Sequence, residues 1–465
     1  MARAAMNDGL FEQLVLKPDT RYFLYVGEIK AIGLNAFYQQ ALTPLLGPTA
    51  EAISIVPDVL QHYPDGNVMV INPEAARVQD ETGNQIGMRI AGDRFAALVS
   101  GDVRFRRLLQ RLEAHQPVVP LWLYDSRPEL ELNGRRSILR LAPDPELART
   151  FNNKLWQYRH LSGVVPMPSH CICSGEKPLR RALDEMGLCQ GKTVFVTQAY
   201  GAAGVGSGVV CRLDDLALCL GDPDDTYVAS CYIPHTFDPT VLAVVANEHD
   251  VYVAGVADMT IEGGNKFRGS SFPSRLPQAI QKTLVDHTRR VGRTIGRLGY
   301  RGIFGCDYIV DEGGQAIFIE VNARKQGTTM EFCCTLEHLL PDGAPNLPEL
   351  EVWAITQGHF PAGTVEPPPG KSPLFWETYN HKVETMVRTT AALAQAQSER
   401  GLFASAARDR TSGHVILEHL GESVQAMPGT FLARAVAVGT DCDAMRSELS
   451  RAKEAIGASC MPLGN

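Results

Sequence analysis

A glycine pair between two apolar runs, Gly305-Cys306-Asp307-Tyr308-Ile309-Val310 and Gln315-Ala316-Ile317-Phe318-Ile319-Glu320-Val321, restricts this chain more than any other stretch, because it specifies a β-hairpin. With Gly313 and Gly314 as the two loop residues, Glu312 faces Gln315, and counting outward sets Asp307 opposite Glu320. Side chains alternate between faces, so Asp307, Glu320 and Asn322 share one face while Tyr308, Val310, Ile317, Ile319 and Val321 share the other. Two carboxylates and an amide oxygen suit a hard cation, Mg²⁺ in particular, which usually shares its coordination with substrate phosphates. Arg324, just beyond, is placed to neutralise a phosphoryl group. For acidic residues alone an ordinary solvated hairpin face is the usual explanation; three oxygen ligands and an arginine at one strand end favour a functional one.

Length and composition set the limits around this hairpin. A chain of 465 residues suggests about three domains. Lys plus Arg number 44 against 52 Asp plus Glu, a net charge of -8, and no basic run advertises nucleic acid or an anionic membrane. The 11 cysteines are scattered apart from Cys171-x-Cys173 and Cys333-Cys334, so neither a zinc site nor a disulfide framework is indicated. No signal-like or membrane-spanning stretch is evident, and the expectation is a soluble cytoplasmic protein.

Taken in order, residues from about 20 to 145 alternate strand-like runs (Arg21 to Val26, Ser54 to Val56, Val68 to Asn72, Val118 to Tyr124) with helical patterns, which implies an α/β layer with a largely parallel sheet. His62, Asp93 and Asp125 stand isolated there and read as surface or capping residues. Asn152-Asn153-Lys154 then opens a helical stretch, and a cation at a helix start is not helped by the macrodipole, which hints that Lys154 faces a ligand. Thr193 to Gln198, a glycine-rich run from Gly201 to Gly208, and Val209 to Arg212 read as strand, loop, strand. Such a loop lets backbone N–H groups approach phosphate oxygens, and Ser207 adds a hydroxyl. No helix follows the glycines and no Gly-Lys-Ser/Thr ending is present, so neither the dinucleotide fingerprint nor the P-loop applies.

Thr226 to Pro234, Val241 to Ala246 and Val251 to Val256 together suggest an antiparallel sheet. The segment Gly263-Gly264-Asn265-Lys266-Phe267-Arg268-Gly269 reads as a loop carrying two cations, and Gln278 to Leu298 as an amphipathic helix. Beyond the hairpin, helical pieces at Thr335 to Leu340 and Leu350 to Gln357 precede a proline-rich linker. Two strands, His414 to Leu420 and Thr430 to Val438, and a helix from Asp443 to Ile456, capped by Asp441 or Asp443, close the chain. His381, His414 and His419 read as structural. The resulting organisation is 1–148, 149–360, a linker at 361–373, and a small α+β unit at 374–465.

The ordered series of Lys154 after two asparagines, a glycine-rich hairpin, a hinge-like strand ending Cys231-Tyr232-Ile233, Gly305-x-Asp307 and Glu320-x-Asn322-x-Arg324 resembles the ATP-grasp superfamily of carboxylate-amine ligases. The resemblance covers about Asn152 to Thr329, and the whole layout looks most like the pheganomycin-type peptide ligases of actinobacterial natural-product pathways. It implies an α/β class: an N-terminal pre-ATP-grasp α/β domain, an ATP-grasp core of two α+β subdomains, and a small C-terminal α+β domain. It further implies that Asp307, Glu320 and Asn322 hold Mg²⁺ on the phosphates of ATP, that Lys154 contacts those phosphates, and that Gly204, Gly206 and Ser207 close over them. Backbone groups of Cys231, Tyr232 and Ile233 would meet adenine and Asp238 the ribose. Arg324 would orient the transferred phosphoryl group or the substrate carboxylate, with Arg268 as its partner. Where the family commonly carries a phosphate-facing lysine this chain has Thr197-Gln198, and Lys192 or Lys266 would compensate. The implied reaction is amide or peptide bond formation between small-molecule or peptide carboxylate and amine substrates, with a homodimer as the default assembly. An ATP-grasp enzyme with a non-amine acceptor, and a non-catalytic nucleotide-binding protein, are the alternatives.

Overall fold

The structure, a computed structural model, describes the chain except for residues 1–14, 64–66, 133, 202–205, 222–224, 264–265, 369, 371, 394–396 and 464–465. Backbone contacts divide it into two compact units, one made of Met1–Glu146, Gly327–Val365 and Ser372–Asn465, the other of Leu147–Gln326 and Glu366–Lys371.

The first unit opens with the parallel sheet that alternating strands and helices imply. Tyr22–Val26 (β1), Glu51–Val56 (β2), Val68–Val70 (β3), Val119–Leu123 (β4) and Ile138–Leu141 (β5) lie in the order β3-β2-β1-β4-β5, every pairing parallel. β1 and β4 are buried along their whole length, which is why they read as continuous apolar runs. Leu24, Ile53, Leu121, Phe105 and Leu112 meet in one core cluster, the last two from the helix Val103–His115 that Asp102 caps.

The second unit begins with the helix Lys154–Leu161 (α1). His170–Ser174 (β6), Val194–Gln198 (β7), Ser207–Val210 (β8) and Thr226–Cys231 (β9) form an antiparallel sheet in the order β6-β9-β7-β8. The glycine-rich run therefore does join two strands, with Thr197 opposite Ser207. Pro239–Val245 (β10), Val251–Glu262 (β11) and Lys266–Phe272 (β12) belong to a second antiparallel sheet. This corrects the expectation that Thr226 to Pro234 pairs with the following strands. β9 ends at Cys231, and beyond Pro234 the chain enters another sheet, where the short strand His235–Phe237 pairs with Val310 and Asp311. The two cations read as lying in a loop likewise stand on a strand, β12.

The helix Gln278–Arg297 (α2) leads into Gly302–Asp311 (β13) and Ala316–Asn322 (β14), the hairpin expected from sequence. Asp307 does face Glu320, but through two compensating features. The loop holds three residues rather than two: Asp311 N–H donates to the Gln315 carbonyl, Gly314 N–H donates back to Asp311, and Gly314 takes a φ of 80°. A bulge then shifts the register, so that Tyr308 faces Phe318 while Asp307 faces Glu320, and Ile319 is the extra residue. The bulge also changes which side chains reach the interior. Phe318 and Ala316 join Cys306, Tyr308, Val310 and Val321 in the core against Leu284, Val291 and Ile295 of α2, while Ile317, itself buried, and Ile319 lie outside that cluster.

The rest of the first unit follows the hairpin in sequence. Phe375–Lys382 (β15), Gly413–Leu417 (β16) and Phe431–Gly439 (β17) form antiparallel pairs with β17 between the other two, and Asp441 caps the helix Cys442–Ala458. Stretch 374–465 shares the first unit with the N-terminal layer, to which a parallel pairing of Gln425–Ala426 with Ile86–Gly87 ties it. His414 pairs with Glu448, and His419 with Ser459.

Arg434 on β17 lies in a buried acidic setting. Its guanidinium donates to Glu331, to Glu399 and to the Gly327 carbonyl, with side-chain exposures of 5% for the arginine, 0% for Glu331 and 6% for Glu399. Burial, then the neighbouring Glu331, pushes the Glu399 carboxyl up to about 8. Arg434→Met removes the cation from two buried carboxylates, and thermal or denaturant unfolding should show a loss of about 3–5 kcal/mol. Because the folded-state value of Glu399 lies above that of an unfolded glutamate, its contribution is full below the ordinary value of 4.5 and is lost progressively as pH rises from there to about 8. The melting temperature should therefore fall across that interval, and Glu399→Gln should flatten the dependence; a profile unchanged by Glu399→Gln would contradict the assignment.

Candidate functional site

The acidic face of the β13–β14 hairpin is assembled by strand register. Asp307 stands opposite Glu320 on one side and opposite Thr240 of β10 on the other. Its Oδ1 accepts from Thr240 Oγ1 at 2.6 Å and from Gln326 Nε2 at 3.2 Å, and its Oδ2 accepts from Asn322 Nδ2 at 2.8 Å. Burial, then the facing Glu320, pushes the Asp307 carboxyl up to about 6, although Thr240, Asn322 and Arg324 all favour the charged form. Glu320 goes the other way. Burial opposes its charge, but the Lys154 ammonium, with Arg324 and Asn322 behind it, outweighs burial and holds the carboxyl below its ordinary value.

Lys154 Nζ stands 2.9 Å from Glu320 Oε2 and donates to the Gly201 carbonyl at 3.4 Å, while its backbone N–H donates to Ala199 at 2.8 Å. Asn153 Oδ1 caps α1 by accepting from Leu155 and Trp156 N–H, which sets the lysine on the first turn. Arg324 donates to Asn322 Oδ1 at 2.9 Å and to the Lys325 carbonyl at 3.0 Å. Lys154, Asp307, Glu320, Asn322 and Arg324 thus converge as the sequence suggests, joined by Thr240 and Gln326. Gln326 was legible in principle, since it continues the alternation of Glu320, Asn322 and Arg324; Thr240 becomes visible only through cross-strand register.

The donor set fits a hard divalent cation. Two carboxylates share one face, and burial together with the facing Glu320 disfavours charge on Asp307, a penalty that a cation between them would relieve. Asn322 turns its amide nitrogen to the carboxylates and its oxygen to Arg324, so binding a cation through Oδ1 requires the opposite amide orientation. Among the described residues no group of three or more His, Cys, Asp and Glu is placed to share a metal. Space is tight behind it: a Cβ at Gly305 would lie 2.0 Å from Gln326 Cδ.

The other sequence-derived residues fall in different settings. Gly204 lies outside the described residues. Gly206 has a φ of 68°, and Ser207 opens β8. Thr197 is buried, and Gln198, where a phosphate-facing lysine was expected, is used internally: a Cβ on Gly206 or Gly221 would strike its amide at 2.5 and 2.4 Å, and its Nε2 donates to Cys219. The stem of Lys192 packs against Gly187 and Lys266 opens β12 opposite Glu262. Cys231 ends β9, with its N–H and that of Tyr232 donated to Ser169 and Thr193. His235 donates Nδ1 to the Ile233 carbonyl at 2.7 Å and places Nε2 3.1 Å from Asp238 Oδ1. Two acceptors, the aspartate foremost, raise the affinity of this ring for its proton. Arg268 pairs with Glu262 at 2.7 Å.

Residues 151–328 match the ATP-grasp domain family. A butirosin acyl-carrier-protein–L-glutamate ligase of Niallia circulans is 24% identical over 40% of this chain and 45% of its own length. An L-propargylglycine–L-glutamate ligase of Streptantibioticus cattleyicolor is 30% identical over 20% of the chain and 18% of its own. The matched segments thus span less than half of either relative. Among solved structures, carboxyaminoimidazole ribonucleotide synthase of Aspergillus clavatus, complexed with ATP, superposes with a TM-score of 0.57 at 14% identity, covering 95% of this chain and 100% of that one. Biotin carboxylase of Campylobacter jejuni superposes at 0.62 and 13% identity, covering 95% and 92%. At such identities these structures speak for the fold. Over residues 151–328 the chain is therefore similar to the ATP-grasp domain family.

Proposed function

We propose that this protein is an ATP-dependent ligase that joins a carboxylate to an amine, on an amino acid or peptide, in the making of a small natural product. The observation that carries the reading is the convergence of Asp307, Glu320, Asn322, Arg324 and Lys154 beside the glycine hairpin of an ATP-grasp domain. The named activities of the two relatives, both ligases of L-glutamate, support it.

In this reading Asp307, Glu320 and Asn322 would hold Mg²⁺, which would supply charge neutralisation for the phosphates of ATP. Lys154 binds phosphate oxygens, Gly206 and Ser207 cover them, backbone groups of Cys231 to Ile233 receive adenine, and Asp238, steadied by His235, faces the ribose. Arg324 orients the incoming carboxylate. A carboxylate oxygen attacks the γ-phosphorus and ADP leaves. The amine then attacks the acyl carbon of the acylphosphate, inorganic phosphate departs, and the amine's proton is lost to solvent. Positioning and charge neutralisation dominate such chemistry, so no nucleophilic serine or cysteine is needed.

Three measurements bear on this. A paired screen of carboxylates and amines should release ADP and yield a product heavier than either substrate, with hydroxylamine trapping a hydroxamate; no ADP with any pair, and no binding of Mg-ATP, would overturn the reading. Asp307→Ala or Glu320→Ala should cut turnover by about 10³-fold or more while the protein stays folded. At Gly305 an alanine would displace Gln326 from Asp307 and should lower kcat/KM about 10- to 100-fold, whereas Gly313→Ala on the hairpin loop should leave it within about threefold.

A further inference from the structure

β14 carries two of the three metal-binding candidates, yet among the described residues its ladder runs to β13 alone. Its other edge is met by side chains. Gln157, on α1 and only 1% exposed, accepts the Val321 N–H on Oε1 at 2.9 Å and donates Nε2 to the Val321 carbonyl at 2.9 Å. The second Nε2 proton goes to the Phe151 carbonyl at 2.7 Å, so the amide's donors and its acceptor are all engaged. Asn152 Oδ1 accepts the Ala323 N–H at 2.8 Å, and the Pro166 carbonyl accepts the Phe318 N–H at 2.8 Å. One glutamine amide does for Val321 what a neighbouring strand would do, giving and receiving a bond at the same residue.

Val321 lies between Glu320 and Asn322, two residues past the bulge at Ile319. A bulge loosens the ladder and increases local twist, so β13 fixes the rotation of β14 least where the two oxygen ligands project. The same turn of α1 that carries Gln157 also carries Lys154, which reaches Glu320. We propose that Gln157, seconded by Asn152, is a positioning residue that sets the aim of Glu320 and Asn322 at the divalent cation. This role presupposes the ligase reading above. The residue type is chosen by chemistry: a glutamate would offer Val321 an acceptor but repel its carbonyl, and a leucine would leave both groups of Val321 unpaired.

The test uses the full chain, Mn²⁺ and the non-hydrolysable nucleotide AMP-PNP, with bound Mn²⁺ read by electron paramagnetic resonance, so that no turnover is required. Gln157→Leu should weaken Mn²⁺ binding to the nucleotide-loaded protein about tenfold, and raise the Mg²⁺ concentration for half-maximal ADP release by a similar factor. Leu161→Ala, in the core that α1 shares with β14 but without a bond to Val321, controls for general loosening: it should lower the melting temperature at least as much and leave Mn²⁺ affinity within about twofold. Equal Mn²⁺ affinity in wild type and Gln157→Leu, or equal losses in Gln157→Leu and Leu161→Ala, overturns the positioning role. Wild-type protein that binds no Mn²⁺ with AMP-PNP overturns the ligase reading instead.

Discussion

Two carboxylates set side by side in a largely dehydrated place are the constraint on which the second unit depends. Asp307 and Glu320 oppose each other by strand register, and the repulsion between them, added to desolvation, drives one toward its neutral form while the other keeps its charge through Lys154. Hydrogen bonds from Thr240, Gln326 and Asn322 fix where the Asp307 oxygens lie. The elements of the unit can be understood by what they bring to this pair: β10 a hydroxyl, α1 an ammonium, and the extended chain after β14 an arginine and a glutamine.

Because one lysine touches both Glu320 and the carbonyl of Gly201, the acidic face and the glycine hairpin are not independent. A charge placed between the carboxylates competes with the lysine for Glu320, and so acts on the residue that also holds the start of the glycine run. Gln198, in contrast, sits among the glycines as a packing element, with Gly206 and Gly221 leaving room for its amide. Gln198 thus serves β7 as an internal contact.

How far this was legible in the sequence differs from piece to piece, for physical reasons. The parallel layer of the first unit was readable because strands buried on both faces are apolar throughout, as β1 and β4 are. The Asp307–Glu320 pairing was readable too, though by cancellation: one extra loop residue and one bulged residue restore the register that a two-residue turn would have given. The core face was therefore assigned correctly at Tyr308, Val310 and Val321, while Ile317, though buried, and Ile319 fall outside the cluster that Phe318 and Ala316 join. The separation of β9 from β10 was hidden, since alternation shows that strands exist but not which sheet each joins. Thr240 and Gln157 were hidden for a related reason: one acts across a strand pair and the other from a helix onto a strand, and neither spacing repeats along the sequence. The buried Arg434 cluster likewise joins residues about a hundred positions apart, Glu331 to Arg434, and charge counts do not reveal it.

The side-chain clasp on β14 has a meaning for association as well. A strand edge with unpaired N–H and C=O groups is a template for another chain, and soluble proteins blunt such edges. Here Phe318, Val321 and Ala323 have their edge groups taken by Pro166, Gln157 and Asn152. The edge that carries the acidic face is closed to strand addition without a further strand being spent on it.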